Sequence, residues 1–294
     1  MPPIARSCIL TWLLLLSACS STTFVYNRLD FLLPWYLDDY VKLDAAQQDQ
    51  LDALLEPFLA WHRGEELPRY IALLDRIAMA VDKPLTQLEV ARISGEFERA
   101  WSRLESRALD ALLQLGAALS DAQVGQFIAE LRRQQKKYRK KFVGHSDKKY
   151  RKRTYRRLLD NLQDYLGRLE PGQRELLRAT SDDLLRLDAL WLQERQAWTD
   201  RLEVILQREP GWQQRIRHAI ARRDENASPQ YRQAYRYNLA LIQSAVIAVL
   251  NSRTPRQDRR LRRELESLRE DLQSLLEQAA QAGYTEKGKR GRRN

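Results

Sequence analysis

Apolar residues recur every three to four positions through most of the chain, which is the period of an amphipathic α-helix. The longest apolar face covers about seven turns. It consists of Val90, Ile93, Phe97, Trp101, Leu104, Ala108, Leu112 and Leu115. The sequence lacks the period-two alternation that is typical of strands. The pattern therefore predicts an all-α fold, built as a bundle of long antiparallel helices.

Further apolar stripes predict the other helices of this bundle. They cover Phe127–Phe142, Leu158–Leu169, Leu176–Ile205 (one long helix before Pro210-Gly211), Tyr231–Leu250 and Leu261–Leu276. We expect residues 26–282 to form a single helical domain. The glycine-rich and basic stretch that follows, 283–294, is expected to be a disordered tail.

Four of the predicted helix starts share a leucine, a capping residue and a Gln or Glu three positions later. They are Leu43-Asp44-x-x-Gln47, Leu85-Thr86-x-x-Glu89, Leu119-Ser120-x-x-Gln123 and Leu169-Glu170-x-x-Gln173. In such a capping box, two side chains each bond to the backbone N–H of the other residue. The pattern also resembles the Leu-Thr-x-x-Gln repeats of small periplasmic helical chaperones of the Spy and CpxP type. Its spacings of 42, 34 and 50 residues are too uneven for a repeat array.

The first 18 residues have the three parts of a secretory signal peptide. Arg6 supplies a positive charge, residues 8–16 are mostly apolar, and Ser17-Ala18 are small. The apolar run is about half of the ~20 residues that a membrane-spanning helix needs. The alternative to a lipoprotein signal is an ordinary signal peptide that is followed by a cysteine, Cys19, by chance.

Leu16-Ser17-Ala18-Cys19 resembles the lipoprotein box of Gram-negative bacteria. The resemblance implies cleavage before Cys19, fatty acylation (palmitate) of that residue, and a lipidated tether over 19–25. Ser20 takes the place of the Asp that retains such proteins at the inner membrane. We therefore expect an anchor on the periplasmic side of the outer membrane.

A segment dense in aromatic and aliphatic residues follows the tether. Residues 26–41 are Tyr-Asn-Arg-Leu-Asp-Phe-Leu-Leu-Pro-Trp-Tyr-Leu-Asp-Asp-Tyr-Val. Together with 43–47 and 61–70, this segment resembles an uncharacterised family of gamma-proteobacterial lipoproteins, which implies a helical lipoprotein without implying an activity. Pro34 favours a short helix that starts there. The segment either packs as the first core element or rests at a bilayer interface, where Trp and Tyr are favoured.

Net charge is concentrated in one part of the chain. The whole sequence carries +11, and residues 131–157 contain 14 Lys and Arg against a single Asp. Gly144-His145-Ser146 interrupts the helical pattern within this segment, so we predict a protruding basic helical hairpin. Its candidate anion-binding residues are Lys136, Lys137, Arg139, Lys140, Lys141, Lys148, Lys149, Arg151, Lys152 and Arg153. The alternative is a solvated helix pair whose charges serve solubility.

The predicted location decides which anions the basic residues meet. Nucleic acid is not expected in the periplasm, although aromatic residues among the cations would favour it in a cytoplasmic protein. The expected partners are the membrane, through the lipid anchor, and anionic lipid, lipopolysaccharide or acidic protein, through the basic residues. This gives an envelope binding or structural protein. The alternative is a chaperone-like or stress-related periplasmic protein.

Signals for catalysis are missing from the sequence. His62, His145 and His218 do not lie at metal-ligand spacings, and neither cysteine is expected to remain free. Phosphate-loop and hydrolase motifs are absent. We predict no enzyme, no catalytic residue, no metal and no cofactor. His62-Arg63 with Glu65 and Glu66 is expected at a helix end before Pro68, where a cation faces the negative end of the helix dipole.

Overall fold

The computed structural model describes residues 26–290, with side chains from 26 to 278. These residues form α-helices, two π-helical turns and no strand, which confirms the predicted all-α bundle. The helices are α1 (Leu29–Asp38), α2 (Ala45–Trp61), α3 (Leu67–Ala80), α4 (Gln87–Ala118), α5 (Asp121–Tyr138), α6 (Asp147–Leu166), α7 (Pro171–Asp183), α8 (Asp188–Ile205), α9 (Trp212–Ala221), α10 (Arg223–Asn226), α11 (Pro229–Asn251) and α12 (Pro255–Arg290). The π-helical turns are His62–Glu66 and Arg139–Val143. The predicted signal peptide and tether, with Cys19, lie outside the described residues.

The core consists of three clusters of buried apolar side chains that share long helices. One cluster joins α6, α7, α11 and α12 around the fully buried Leu177 and Val249. A second joins α4, α5, α8 and α9 around Ile128 and Trp212. The third joins α3, α4 and α12 around Leu275. Because α4 and α12 each contribute to two clusters, they tie the bundle together along its length.

The predicted capping boxes are present at the starts of α2, α4 and α5. Both reciprocal bonds form in the pairs Asp44–Gln47, Thr86–Glu89 and Ser120–Gln123. At the start of α7, the Gln173 side-chain oxygen accepts from the Glu170 backbone N–H at 2.9 Å. These starts were predictable because each box is closed within four consecutive residues.

Capping glutamines also bind one another across helices. The side-chain oxygen of Gln47 closes its own capping box, and its NH₂ group donates to Gln123 Oε1 at 3.0 Å and to the Ala118 carbonyl at 2.8 Å. Gln123 NH₂ donates in return to Gln47 at 2.6 Å and to the Lys42 carbonyl at 2.7 Å. Gln173 and Gln257 form the same reciprocal pair at 3.1 and 2.9 Å. Each pair therefore fixes two helix starts against each other.

The prediction of one long helix over 176–205 is wrong. The chain leaves the helix at Leu184, whose backbone is extended, and α8 begins at Asp188. Asn238 on α11 explains the break, because its side chain accepts from the Leu185 N–H at 2.9 Å and donates to the Leu185 carbonyl at 2.7 Å. A buried amide that satisfies both backbone groups of one residue competes directly with helical hydrogen bonding.

The prediction that a helix starts at Pro34 is also wrong. Helix α1 starts at Leu29, and the N–H of Leu32 already donates to the Arg28 carbonyl at 2.8 Å. Because a helical turn has already formed before Pro34, the helix accommodates this proline, which lacks one backbone N–H donor. No residue of α1 is buried, and Phe31 and Trp35 are 64% and 62% exposed. The helix is therefore not a core element.

The last helix extends further towards the C-terminus than its apolar pattern indicated. Helix α12 is described as far as Arg290, so it overlaps most of the segment 283–294 that was predicted to be a disordered tail. Residues 291–294 lie outside the described part. Disorder of this segment stays a prediction.

The paired capping glutamines can be tested with a substitution that keeps the cap. Gln47→Glu retains the oxygen that closes the capping box but loses the NH₂ donor, and it places a carboxylate against Gln123 Oε1 and the Ala118 carbonyl. We expect the free energy of unfolding to fall by about 2–3 kcal/mol at pH 7. Urea denaturation followed by circular dichroism measures this loss.

The matched control is Glu89→Gln in the exposed capping box of α4, where only the oxygen is used. We expect this reverse change to alter stability by no more than about 0.5 kcal/mol. A Gln47→Glu protein as stable as the wild type would contradict a structural role for the glutamine pair.

Candidate anion-binding surface

The basic segment 131–157 starts on α5, which widens at its end into the π-helical turn Arg139–Val143. Aromatic packing holds this turn in place. The ring of Tyr138 lies 4.7 Å from that of Phe142 and 4.1 Å from that of Trp191 on α8, measured between ring centroids. The stack anchors the end of α5 on α8, so the lysines of this turn project from a fixed base.

Residues 144–146 form the predicted break between α5 and α6. Ser146 is the N-cap of α6, as predicted, and its side chain accepts from the Lys149 backbone N–H at 3.4 Å. Gly144 ends the preceding turn with φ −72°, so it does not adopt the left-handed conformation for which glycine is usually selected at a helix end.

The two basic helices do not pack along each other. Helix α5 packs mainly against α8, whereas α6 packs against α7 and α12. The two helices of the predicted basic hairpin therefore do not pair along their length, because each helix has an apolar partner elsewhere in the bundle. The cations meet only around the turn between α5 and α6.

The structure places nine of the ten predicted anion-binding residues on the surface. We call these residues the basic turn. They are Lys136, Lys137, Arg139, Lys140, Lys141, Lys148, Lys149, Arg151 and Lys152. Arg151 lies 4.0 Å from Asp182, and both side chains are at least half exposed, so this pair contributes little. Within the described part of the chain, the other eight form no salt bridge.

An arginine that sequence analysis missed binds two of the nearby acids. Arg186, in the connection between α7 and α8, lies 2.8 Å from a carboxylate oxygen of both Asp188 and Asp147. It also donates to the Val143 carbonyl at 2.7 Å. Hydrogen bonds to Asp188 and Asp147 raise the pKa of Arg186. Arg186 therefore binds two acids that lie beside the basic turn.

Arg153 does not belong to the basic turn, contrary to the prediction. Its guanidinium lies 4.6 Å from the centroid of the Phe142 ring and 3.9 Å from Asp188, which is buried. Cation–π stacking and an ion pair draw this half-buried side chain inward. Arg153 therefore packs against the inner side of the turn and is not available to bind an anion at the surface.

A second polar cluster surrounds the other π-helical turn, His62–Glu66. The predicted helix end at His62 is wrong, since α2 passes through this turn directly into α3. The Tyr26 hydroxyl lies 2.8 Å from His62 Nδ1, and the Tyr70 hydroxyl lies 3.4 Å from Nε2. Burial, reinforced by the charge of Arg63, lowers the pKa of His62 from 6.5 to about 4.

Glu66 closes this cluster with its side chain fully buried. Arg103 on α4 donates to both carboxylate oxygens at 2.7 Å, and Arg69 on α3 donates to one of them. Burial alone would raise the pKa of Glu66, but the bonds from Arg103 and Arg69 outweigh it and lower the pKa. Both oxygens are thus occupied by arginines, and the cluster joins α3 to α4 as a structural unit.

Two features that bear on function are absent from the part of the chain that the structure describes. No group of three or more His, Cys, Asp or Glu side chains is placed to hold a metal ion. No described helix is both long enough and apolar enough to cross a membrane.

Comparison with known proteins gives one match. The model of a family of unknown function, DUF6279, matches residues 39–232. This range includes the basic turn, the π-helical turn His62–Glu66 and most of the bundle, but it starts after Tyr26 and most of the aromatic segment 26–41. No curated protein and no solved structure matches the chain.

The His62 cluster predicts a pH dependence of stability. Between pH 6.5 and 4, the unfolded chain binds a proton on His62 that the folded protein does not bind, so stability falls as the pH falls through this window. This group alone is expected to remove about 2 kcal/mol between pH 7 and pH 5. Urea denaturation at both pH values measures the loss.

His62→Gln removes the titrating group, so the variant should lose about 2 kcal/mol less than the wild type between these pH values. The exposed His218 provides the control, and His218→Gln is expected to keep the wild-type pH profile. An unchanged profile in His62→Gln would show that its ring is not buried in the neutral form.

Proposed function

The chain belongs to the DUF6279 family of unknown function, and we propose that it is a periplasmic outer-membrane lipoprotein whose basic turn binds an anionic membrane surface. In this proposal, Cys19 carries the lipid anchor and the helical bundle acts by binding, without catalysis. The ligand is the phosphate of phospholipid or lipopolysaccharide.

One observation carries this proposal. Eight exposed cations lie on and around the turn between α5 and α6 and form no salt bridge with any described residue, while Arg186 binds the nearby Asp147 and Asp188. Like charges in such proximity oppose folding by a few tenths of a kcal/mol per pair. A surface that binds anions would offset this cost.

The chemistry of the eight cations favours lipid over protein. Seven are lysines, and only Arg139 has a planar guanidinium. Lysine is a strongly hydrated point charge on a flexible stem, and it is depleted from specific protein interfaces. A lipid surface presents many phosphates without fixed geometry, and each basic residue near it contributes about 1 kcal/mol.

Helix α1 supports a position close to the membrane. The eight residues from Cys19 to Tyr26 span at most ~29 Å, so the predicted anchor keeps α1 near the lipid. Phe31 and Trp35 are largely exposed on this helix. Aromatic side chains of this kind are favoured at membrane interfaces. This supports the interfacial alternative for α1, although Val41 at the end of the segment 26–41 is buried.

The chaperone-like alternative has weaker support. The glutamines that suggested it, Gln47 and Gln173, are only 6% and 5% exposed, and they bond to other helix starts. Their role in stabilising the bundle accounts for the recurring pattern without a client-binding function.

The proposal can be tested by vesicle co-sedimentation with the non-lipidated chain that begins at Ser20. We expect binding to phosphatidylcholine vesicles that contain phosphatidylglycerol or lipopolysaccharide, and none to phosphatidylcholine alone. The triple variant Lys140→Gln, Lys141→Gln, Lys148→Gln should bind anionic vesicles about a hundredfold more weakly, from about 1 kcal/mol per residue. Added salt should weaken binding of the wild type.

The matched control removes three exposed arginines outside the basic turn: Arg92→Gln, Arg256→Gln and Arg259→Gln. It has the same net charge as the lysine variant. Equal losses of vesicle binding in both variants would therefore show that binding depends only on the net charge of the protein. Equal binding of the wild type to neutral and anionic vesicles would overturn the proposal, and an acidic protein would become the better candidate partner.

A further inference from the structure

A cavity of about 270 Å³ opens among α8, the short α10 and α11. Its lining is rich in arginine and aromatic side chains. The arginines are Arg195, Arg201, Arg223, Arg232 and Arg236, and the aromatic residues are Trp198, Tyr231 and Tyr235. The cavity shares no residue with the basic turn.

Arg195 is the most unusual charge in this cavity. Its guanidinium lies 4.9 Å from the centroid of the Trp191 ring, which is outside the cavity lining, so this half-buried charge sits at the edge of the cavity. It forms no salt bridge with any of the described residues. Burial lowers the pKa of Arg195, which is the expected direction for a cation without a carboxylate beside it.

Like Arg195, Arg201 and Arg236 form no salt bridge within the described residues. The other two arginines are occupied. Arg223 binds Glu105, and Arg232 donates to the Glu225 carbonyl at 3.0 Å. Three cations at one cavity therefore have no counter-charge within the described fold.

The acids of the lining do not neutralise these three arginines. Glu194 accepts from the Ser228 backbone N–H at 3.1 Å. Glu225 lies 3.6 Å from Arg222, and Asp224 also has a partner within the fold. The lining thus keeps an excess of two positive charges, with five arginines against three carboxylates.

Aromatic side chains limit the shape of what the cavity can hold. Trp198, Tyr231 and Tyr235 form apolar walls, and the indole N–H of Trp198 is buried without an acceptor. The volume is at the lower end of the range for small-molecule sites. Arginine recognises carboxylate and phosphate through a planar pair of donors.

We infer that this cavity binds a small organic anion, which places a carboxylate or phosphate group against Arg201 and Arg236, with Arg195 at the edge of the site, and a flat apolar body against the aromatic walls. The inference is independent of the proposed membrane binding, since the two surfaces use different residues and different chemistry.

Isothermal titration calorimetry of the full chain in neutral detergent tests this inference with three probes. Phenyl phosphate and benzoate distinguish the two anionic groups, and inorganic phosphate shows how much the apolar body adds. We expect saturable binding of phenyl phosphate or benzoate, tighter than that of inorganic phosphate. Arg201→Gln and Arg236→Gln should each weaken it about tenfold or more.

Two control variants separate this site from general charge effects. Arg256→Gln removes one exposed arginine outside the cavity, and the triple lysine variant removes part of the basic turn; both should bind the probe as tightly as the wild type. Arg236 is exposed, so Arg236→Gln is expected to fold normally, which circular dichroism checks. The inference fails if neither organic probe saturates, if both arginine variants bind like the wild type, or if only the lysine variant loses affinity.

Discussion

The bundle depends on side-chain amides that bind backbone at helix ends. The oxygen of Gln47 closes a capping box while its NH₂ group crosses to Gln123 and to the end of α4. Gln173 and Gln257 repeat the arrangement at the starts of α7 and α12. Helix ends leave donors and acceptors unsatisfied, and burying them without partners is costly. Paired glutamines satisfy two ends at once, and they fix which ends are neighbours.

An amide also creates the charge pattern of the candidate site. Asn238 binds both backbone groups of Leu185, so the chain leaves the helix there and restarts at Asp188. Arg186 lies within this break and reaches Asp188, Asp147 and the Val143 carbonyl. In an uninterrupted helix, Arg186 and Asp188 would be two positions apart, and residues at that spacing do not face each other. A buried contact on another helix thus sets the position of the arginine that binds Asp147 and Asp188 beside the exposed lysines.

The sequence was sufficient where structure is local, and it failed where a distant residue decides. The capping boxes at Asp44, Thr86 and Ser120 close within four residues, so their positions followed from spacing. The break at Leu185 depends on Asn238, 53 residues away, and the apolar period of 3.6 continues through it. The exposure of the basic residues followed from composition, but the inward position of Arg153 follows from Phe142 and Asp188. The cavity around Arg195 joins three helices, and no motif marks it.

The two proposed anion-binding features use cations in opposite ways, because their side chains differ in their exposure to solvent. Lysines of the basic turn are hydrated and screened, so each contributes little alone, and affinity requires many phosphates at once, as on a membrane. Arg195 has already lost much of its hydration to Trp191 and the surrounding helices. A desolvated guanidinium gains more from a single well-placed anion, because the local dielectric is lower and less water must be displaced. The same net positive charge therefore favours an extended surface at one site and a single small ligand at the other.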